Sequence, residues 1–160
     1  MNYIGNNFLV EKVSASKISK KYGTPIYCYS YSRLKKNVLN LKNNFKSFGP
    51  LLCFSVKSNA NISLLKEIKK LGCGADVVSI GELVVALKAG INVNKIVFSG
   101  VGKTSKEIKY AIEKKILLIN AESKSEILEI ERISRSMNRS TNIGIRLNPN
   151  TDAKTLNKIS

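Results

Sequence analysis

The sequence predicts an α/β fold built on a parallel sheet. After residue 25, short runs rich in Ile, Val, Leu and Phe alternate with amphipathic stretches of helical period. From Leu51 onward these runs begin about every 20 to 25 residues, the repeat of β-α units with right-handed crossovers. A doubly wound sheet and a (β/α)8 barrel both agree with this pattern. Because a complete barrel needs about 250 residues, we expect the 160 residues to be part of a longer protein.

The predicted strands are mostly apolar rather than alternating, as expected of strands buried on both faces of a parallel sheet. Besides a short candidate at 8–10, they cover residues 25–29, 51–56, 75–79, 95–99, 116–120 and 142–147. A small helix is predicted over 13–22, and a longer one ends at Gly49-Pro50. The apolar stripe of the longer helix consists of Leu34, Val38, Leu41, Phe45 and Phe48.

Three later helices are predicted to begin with capping boxes. In this motif a hydroxyl accepts the N–H of the third helical residue, whose carboxylate reaches back to the N–H of the cap. The pairs are Ser79 with Glu82, Thr104 with Glu107, and Ser123 with Glu126.

The composition argues against several classes of protein. The formal net charge is +16, but the 27 basic residues are mostly lysines spread along the chain, without an aromatic or arginine-rich nucleic-acid motif. We therefore expect no nucleic-acid partner. The absence of histidine and of a CxxC pair argues against a zinc site and a serine-hydrolase triad.

Nothing in the sequence indicates export or a membrane partner. There is no apolar run of roughly 18 residues and no leader-like N-terminus. The three cysteines, Cys28, Cys53 and Cys73, are widely spaced, and two of them lie in apolar runs. We expect buried, reduced thiols in a cytoplasmic protein.

The strand at 51–56 ends directly in Lys57, and polar residues follow. In α/β folds the carboxyl ends of the strands form the ligand crevice. A lysine there can attack an aldehyde through its amine. From position alone, the alternative is a lysine that merely begins the next loop.

A second lysine lies in a segment that resembles a nucleotide-binding motif. Gly102-Lys103-Thr104 is similar to the end of a P-loop, which requires a glycine five positions before Gly102. That position is Val97, within a predicted strand. The backbone then lacks the usual phosphate cradle, so we expect no ATP or GTP site.

Five segments, in order along the chain, resemble the fold III pyridoxal-phosphate-dependent decarboxylases. The first is similar to the cofactor-lysine motif, with Ser55 in place of the usual alanine. The last two are more typical of diaminopimelate decarboxylases than of ornithine or arginine decarboxylases. The segments are 54–59 (FSVKSN), 74–83 (GADVVSIGEL), 98–104 (FSGVGKT), 146–149 (RLNP) and 152–155 (DAKT).

This resemblance implies a role for individual residues. Lys57 would hold pyridoxal 5'-phosphate covalently and act in catalysis. Asp76 would lie close to the cofactor, and Arg146 would contact the region of its ring. Glu82 would lie near the site, although its capping role is an equal alternative. Two further residues at strand ends are expected to line the pocket: Ser99 and Asn120.

The resemblance also implies an architecture and a reaction. Residues 26–160 would form the N-terminal part of a (β/α)8 TIM-like barrel of the alanine racemase type, ending after about the fifth barrel strand. Residues 1–25 would belong to a second, β domain. The full-length homodimer alone would be active, converting meso-2,6-diaminopimelate to L-lysine and CO2 (the last step of lysine biosynthesis). Ornithine, arginine or carboxynorspermidine decarboxylation and non-catalytic cofactor binding remain as alternatives.

Overall fold

The structure is a computed structural model that describes residues 2–149. The chain divides into two units between Leu52 and Cys53. The domain boundary expected near residue 25 stays a prediction, because it concerns which larger domain each segment joins in a longer protein. None of the helices within residues 2–149 is both long and apolar enough to cross a membrane.

The first unit contains a three-stranded antiparallel sheet and two helices. In chain order they are β1 (Asn2–Ile4), β2 (Asn7–Val10), β3 (Val13–Ser14), α1 (Ala15–Tyr22) and α2 (Tyr31–Asn44). The strand predicted at 8–10 is confirmed in β2. The helix predicted over 13–22 begins at Ala15, because Ser14 pairs with β2 while its hydroxyl accepts the N–H of Lys17.

Two predictions for the first unit are wrong. Residues 25–29 form no strand, since in the described chain no strand pairs with them, and the tyrosine side chains at 27 and 29 are exposed. The long helix stops at Asn44 rather than at Gly49, and Phe45 follows it outside helical geometry. A 3₁₀ turn then leads to Gly49, whose φ of 57° is left-handed, so glycine suits this position.

The second unit alternates five strands with four helices over residues 53–149. They are β4 (Cys53–Ser55), α3 (Ile62–Lys70), β5 (Gly74–Val77), α4 (Ile80–Lys88), β6 (Ile96–Phe98), α5 (Ser105–Lys114), β7 (Leu118–Ala121), α6 (Lys124–Ser136) and β8 (Ile143–Ile145). All neighbouring strands are parallel, in the order β4-β5-β6-β7-β8. This confirms the predicted succession of β-α units.

One face of this parallel sheet is buried against the helices. Alternate strand residues such as Ala75, Val77, Phe98 and Ile119 are fully buried in the core, with helix residues from α3 to α6. The intervening positions face the other way. Register pairs Ser55 with Asp76, and Asn120 with Gly144, so these residues share the opposite face of the sheet.

Within residues 2–149 none of the three cysteines forms a disulfide. Cys73 is buried as expected, but Cys28 and Cys53 are only partly buried. Burial raises the pKa of the Cys53 thiol, and the nearby Asp76 carboxylate and Cys73 raise it further. Cys53 is therefore expected to stay protonated and unreactive at neutral pH.

The capping prediction is confirmed in full at α5. The Thr104 hydroxyl accepts the N–H of Glu107, and the Glu107 carboxylate accepts the N–H of Thr104. The same carboxylate accepts the N–H of Ile80 at 3.0 Å. Glu107 thus joins the N-terminal ends of two neighbouring helices, α4 and α5.

At α4 and α6 only half of the predicted box forms. Ser79 and Ser123 accept the expected N–H groups. The carboxylate of Glu82, however, accepts the N–H of Val78, one residue before the cap, at 2.9 Å. Glu126 likewise accepts the N–H of Glu122, because the extended backbone at these caps brings the preceding amide within reach.

Glu107→Gln should weaken the pH dependence of stability. The hydrogen bond from the Thr104 backbone, assisted by that from Ile80, holds the pKa of Glu107 below its usual 4.5. Its stabilising contribution is therefore complete above pH 4.5 and is lost as the pH falls through the lower folded value. Urea unfolding at neutral and acidic pH measures this difference.

A second variant and a control complete this test. Glu107→Ala, which removes the cap bonds, should lower the free energy of unfolding at pH 7 by about 1 kcal/mol. Glu113→Gln on the same helix should change neither quantity, because its side chain has no partner within residues 2–149. Equal effects of the Glu107 and Glu113 replacements would refute the capping role.

Candidate functional site

Polar residues at the carboxyl ends of the parallel strands surround one cavity of about 400 Å³. Lys57, Asp76 and Arg146, the three residues expected to bind a cofactor, all line it, as do Ser99 and Asn120. The full lining is Lys57, Asp76, Val78, Ser99, Gly100, Asn120, Glu122 and Arg146. The sequence motifs thus meet at the edge of the sheet where α/β folds place ligands.

Lys57 lies in a single 3₁₀ turn, Val56–Ser58, directly after β4. Val56 is fully buried and anchors this turn, and the N–H of Asn59 donates to the Val56 carbonyl at 3.0 Å. The Lys57 side chain is exposed toward the cavity, and among the described residues its amine has no hydrogen bond or ion pair. Among the described residues, the primary amine of Lys57 is therefore free to bond to a ligand in the cavity.

The Asp76 carboxylate is fixed by a chain of hydrogen bonds across three strands. The Ser99 hydroxyl donates to Asp76 Oδ1 at 2.6 Å, and Asn120 Nδ2 donates to the Ser99 hydroxyl at 2.9 Å. Within residues 2–149, Oδ2 has no hydrogen-bond partner. One carboxylate oxygen is thus held by the protein, and the other can accept from a ligand.

Arg146 is held by Glu122, a residue that sequence reasoning missed. Arg146 Nη1 donates to Glu122 Oε2 at 2.9 Å, and Glu122 Oε1 accepts the N–H of Gly100 at 3.0 Å. The Glu122 side chain is 8% exposed, against 55% for Arg146. The only signal in the sequence was the position of Glu122, two residues after the end of the strand predicted at 116–120.

Glu82 does not line the cavity. Its carboxylate holds the backbone N–H of Val78, which does. This contact supports the structural alternative for Glu82, with an indirect influence on the cavity wall. The DAKT segment at 152–155, expected to follow the fifth strand, lies outside the described residues.

Ser55, which stands where the resembling family usually has alanine, carries a buried hydroxyl. Within residues 2–149 its Oγ has no hydrogen-bond partner. A buried hydroxyl without a partner costs about 1–3 kcal/mol.

Ser55→Ala should therefore keep or raise the midpoint of thermal unfolding. Ser58→Ala is the matched control and should lower the midpoint slightly, because the Ser58 hydroxyl donates to the Ser55 carbonyl at 2.7 Å. A clear loss of stability in Ser55→Ala would show that this hydroxyl is bonded.

Comparison with known proteins identifies a family over most of the chain. Residues 31–160 match the family model described as "Pyridoxal-dependent decarboxylase, pyridoxal binding domain". The diaminopimelate decarboxylase of Helicobacter pylori (strain J99) is 48% identical over 139 residues, which are 87% of this chain and 34% of that protein. The chain therefore spans about a third of the length of the curated relatives that it matches.

Solved structures agree with this match. The crystal structure of diaminopimelate decarboxylase from Helicobacter pylori, complexed with L-lysine, is 45% identical with a TM-score of 0.85, covering 91% of this chain and 37% of that one. The enzyme of the same name from M. jannaschii, also with L-lysine, is 36% identical with a TM-score of 0.88, covering 96% of this chain and 37% of that one.

Proposed function

The chain belongs to the pyridoxal-dependent decarboxylase family, and on this premise we propose that it is the cofactor-binding part of a diaminopimelate decarboxylase. The observation that carries the proposal is the meeting of Lys57, Asp76 and Arg146 around one cavity at the strand ends. These are the three residues that the sequence motifs single out for the cofactor. The identity of 48% to a diaminopimelate decarboxylase supports the choice within the family.

The residues of the cavity fit pyridoxal phosphate. The unpartnered amine of Lys57 suits an aldehyde carbon, which forms a covalent bond with lysine. Arg146 brings N–H donors for an anionic oxygen, and Asp76 brings a carboxylate oxygen that can accept from a cationic group. The cavity volume of about 400 Å³ also suits a small molecule.

In the proposed mechanism the protein binds the cofactor and orients the cofactor and the substrate. When bound, pyridoxal phosphate supplies an electron sink for breaking the bond between Cα and the carboxylate. Lys57 would hold the cofactor through its Nζ, whose amine faces the cavity. Asp76 would present a carboxylate to the same cavity as Lys57, in an orientation that Ser99 fixes by donating to its Oδ1. Arg146 orients an anionic group through a guanidinium that Glu122 restrains.

The proposed substrate is meso-2,6-diaminopimelate, and the products are L-lysine and CO2. The names of the relatives support this choice. The formal charge of +16 would also favour approach of a substrate with two carboxylates. Release of CO2 by the full-length protein, measured with meso-diaminopimelate, ornithine and arginine, tests it. Turnover of meso-diaminopimelate at least about tenfold above the other two is expected. Preference for ornithine or arginine would assign another decarboxylase of the family.

The larger architecture belongs to the same proposal. We infer a (β/α)8 barrel of the alanine racemase type, because the five parallel strands follow one another in sequence order, without the reversal of a doubly wound sheet. The separate antiparallel sheet of the first unit is proposed to join a second, β domain. The full-length protein is proposed to be a cytoplasmic homodimer, and light scattering tests the dimer.

A further inference from the structure

Lys103, from the segment that resembles a P-loop, carries a buried ammonium group beside the cavity. Its side chain is 1% exposed, and the side chain of its ion-pair partner Glu126 is 9% exposed, at 3.0 Å. Lysine is rarely buried unless its charge is paired. The residue therefore needs an explanation that the nucleotide-binding interpretation does not supply.

The ammonium joins three separate parts of the second unit. Lys103 Nζ donates to the carbonyl of Gly100 after β6 and to the carbonyl of Asn120 in β7, both at 2.7 Å. It also donates to Glu126 on α6. With three N–H donors and three acceptors, the group is fully satisfied. Lys103 thus ties together the carboxyl ends of two neighbouring strands.

The two strand ends that Lys103 connects, those of β6 and β7, also hold residues that line the cavity. The N–H of Gly100 donates to Glu122, whose other oxygen holds Arg146. The Glu126 carboxylate accepts the backbone N–H of the same Glu122. Glu122 is therefore restrained at its backbone by Glu126 and at its side chain by Gly100, and Lys103 bonds to both of these residues.

Stability alone is a weak reason for this arrangement. A buried ion pair often contributes little net stability, because desolvation of both charges opposes their attraction. Positioning of the cavity residues is a better account, since hydrogen bonds to a buried charge are strong and directional.

We propose that Lys103 is a positioning residue of the cavity, which sets Gly100 and Glu122 and thereby fixes the guanidinium of Arg146. This role toward the cofactor rests on the proposed function, but the hydrogen-bond network itself does not. The two parts can therefore be tested separately in the full-length protein.

The first test needs no cofactor. Lys103→Met should speed hydrogen–deuterium exchange at the Gly100 amide by about tenfold. The variant removes the hydrogen bond to the Gly100 carbonyl, and it removes the ion pair of Glu126, which holds the Glu122 backbone. Glu122 is the residue whose carboxylate accepts the Gly100 N–H. Lys106→Met, an exposed lysine on α5, is the matched control and should leave that amide unchanged. The double variant Lys103→Met with Glu126→Gln removes both charges, and replaces the single variant if that one does not fold. Unchanged exchange at Gly100 would overturn the proposal.

The second test measures the dissociation constant of pyridoxal phosphate. Lys103→Met should raise it about tenfold, and Arg146→Gln should raise it as well. Because Lys103 acts through Arg146, the two changes together should weaken binding by less than the product of the separate effects. A purely structural role would give independent effects, and that result would overturn the positioning role. If the wild-type protein does not bind pyridoxal phosphate, the proposed function fails, and the exchange at Gly100 alone decides the role of Lys103.

Discussion

Lys57→Ala is expected to lower kcat for decarboxylation by on the order of 10³-fold in the full-length protein. The replacement removes the amine that is proposed to hold the cofactor. No described residue beside the cavity offers a second lysine with a free amine, since Lys103 is fully engaged. The loss should appear as a lower kcat at saturating substrate and cofactor, measured by release of CO2.

Lys66→Ala provides the control for this loss. Lys66 is an exposed lysine on α3, the helix that follows Lys57, and its removal changes the net charge by the same amount. Its kcat should stay within about twofold of the wild type. A Lys57→Ala variant that keeps more than about a tenth of the activity would contradict the assigned role.

Among the proposed variants, Gly74→Ala is expected to lower the free energy of unfolding the most. Gly74 begins β5, and a Cβ there would overlap the backbone carbonyl oxygen of Lys95 and lie 3.0 Å from Cys53 Sγ. Because the obstacle is backbone, the strands must shift to admit the methyl group. We expect a cost of about 3 kcal/mol, at the upper end for overpacking. Urea unfolding of the purified protein measures it.

Gly81→Ala is the matched control, with the opposite expected sign. Gly81 lies in α4, and a Cβ there would meet only Ser79 Oγ at 3.8 Å. Alanine also lowers the entropy of the unfolded chain, so stability should rise by roughly 0.5–1 kcal/mol. If both variants change stability equally, the close approach at Gly74 is not the cause.

The sequence predicted the second unit well, because its strands are buried on the helix side and punctuated by glycine and capping residues. All five strands of β4 to β8 lie within or beside the predicted runs. The family suggested by the five segments is confirmed by the match over residues 31–160. Hydrophobic periodicity and turn residues depend on neighbouring positions in the chain, so they can be recognised in a single sequence.

The first unit was predicted less well, because its structure depends on pairing rather than on local pattern. The strand β1 (Asn2–Ile4) was missed, since it becomes a strand only by pairing with β2. Conversely, residues 25–29 have the composition of a strand but no partner among the described residues. Strand propensity reflects context more than the residue itself.

The sequence predicted the cavity residues that lie in motifs, but it did not predict the hydrogen bonds that hold them in place. Lys57, Asp76 and Arg146 were predicted because each lies in a segment that resembles a family motif, and Lys57 also directly follows a predicted strand. The roles of Glu122 and Lys103 were not, because they depend on contacts between strands that are separated in sequence, such as Arg146 with Glu122. Such pairs have no local signature. The assignment of the three motif residues to a cofactor itself stays a prediction.

Borohydride reduction of the full-length protein with pyridoxal phosphate, followed by peptide mass analysis, tests the central claim most directly. We predict a visible absorbance band that reduction removes, and a stable cofactor adduct on the peptide that contains Lys57. The Lys57→Ala variant should give neither. An adduct on another lysine, or no adduct at all, would contradict the assignment of Lys57 as the residue that holds the cofactor.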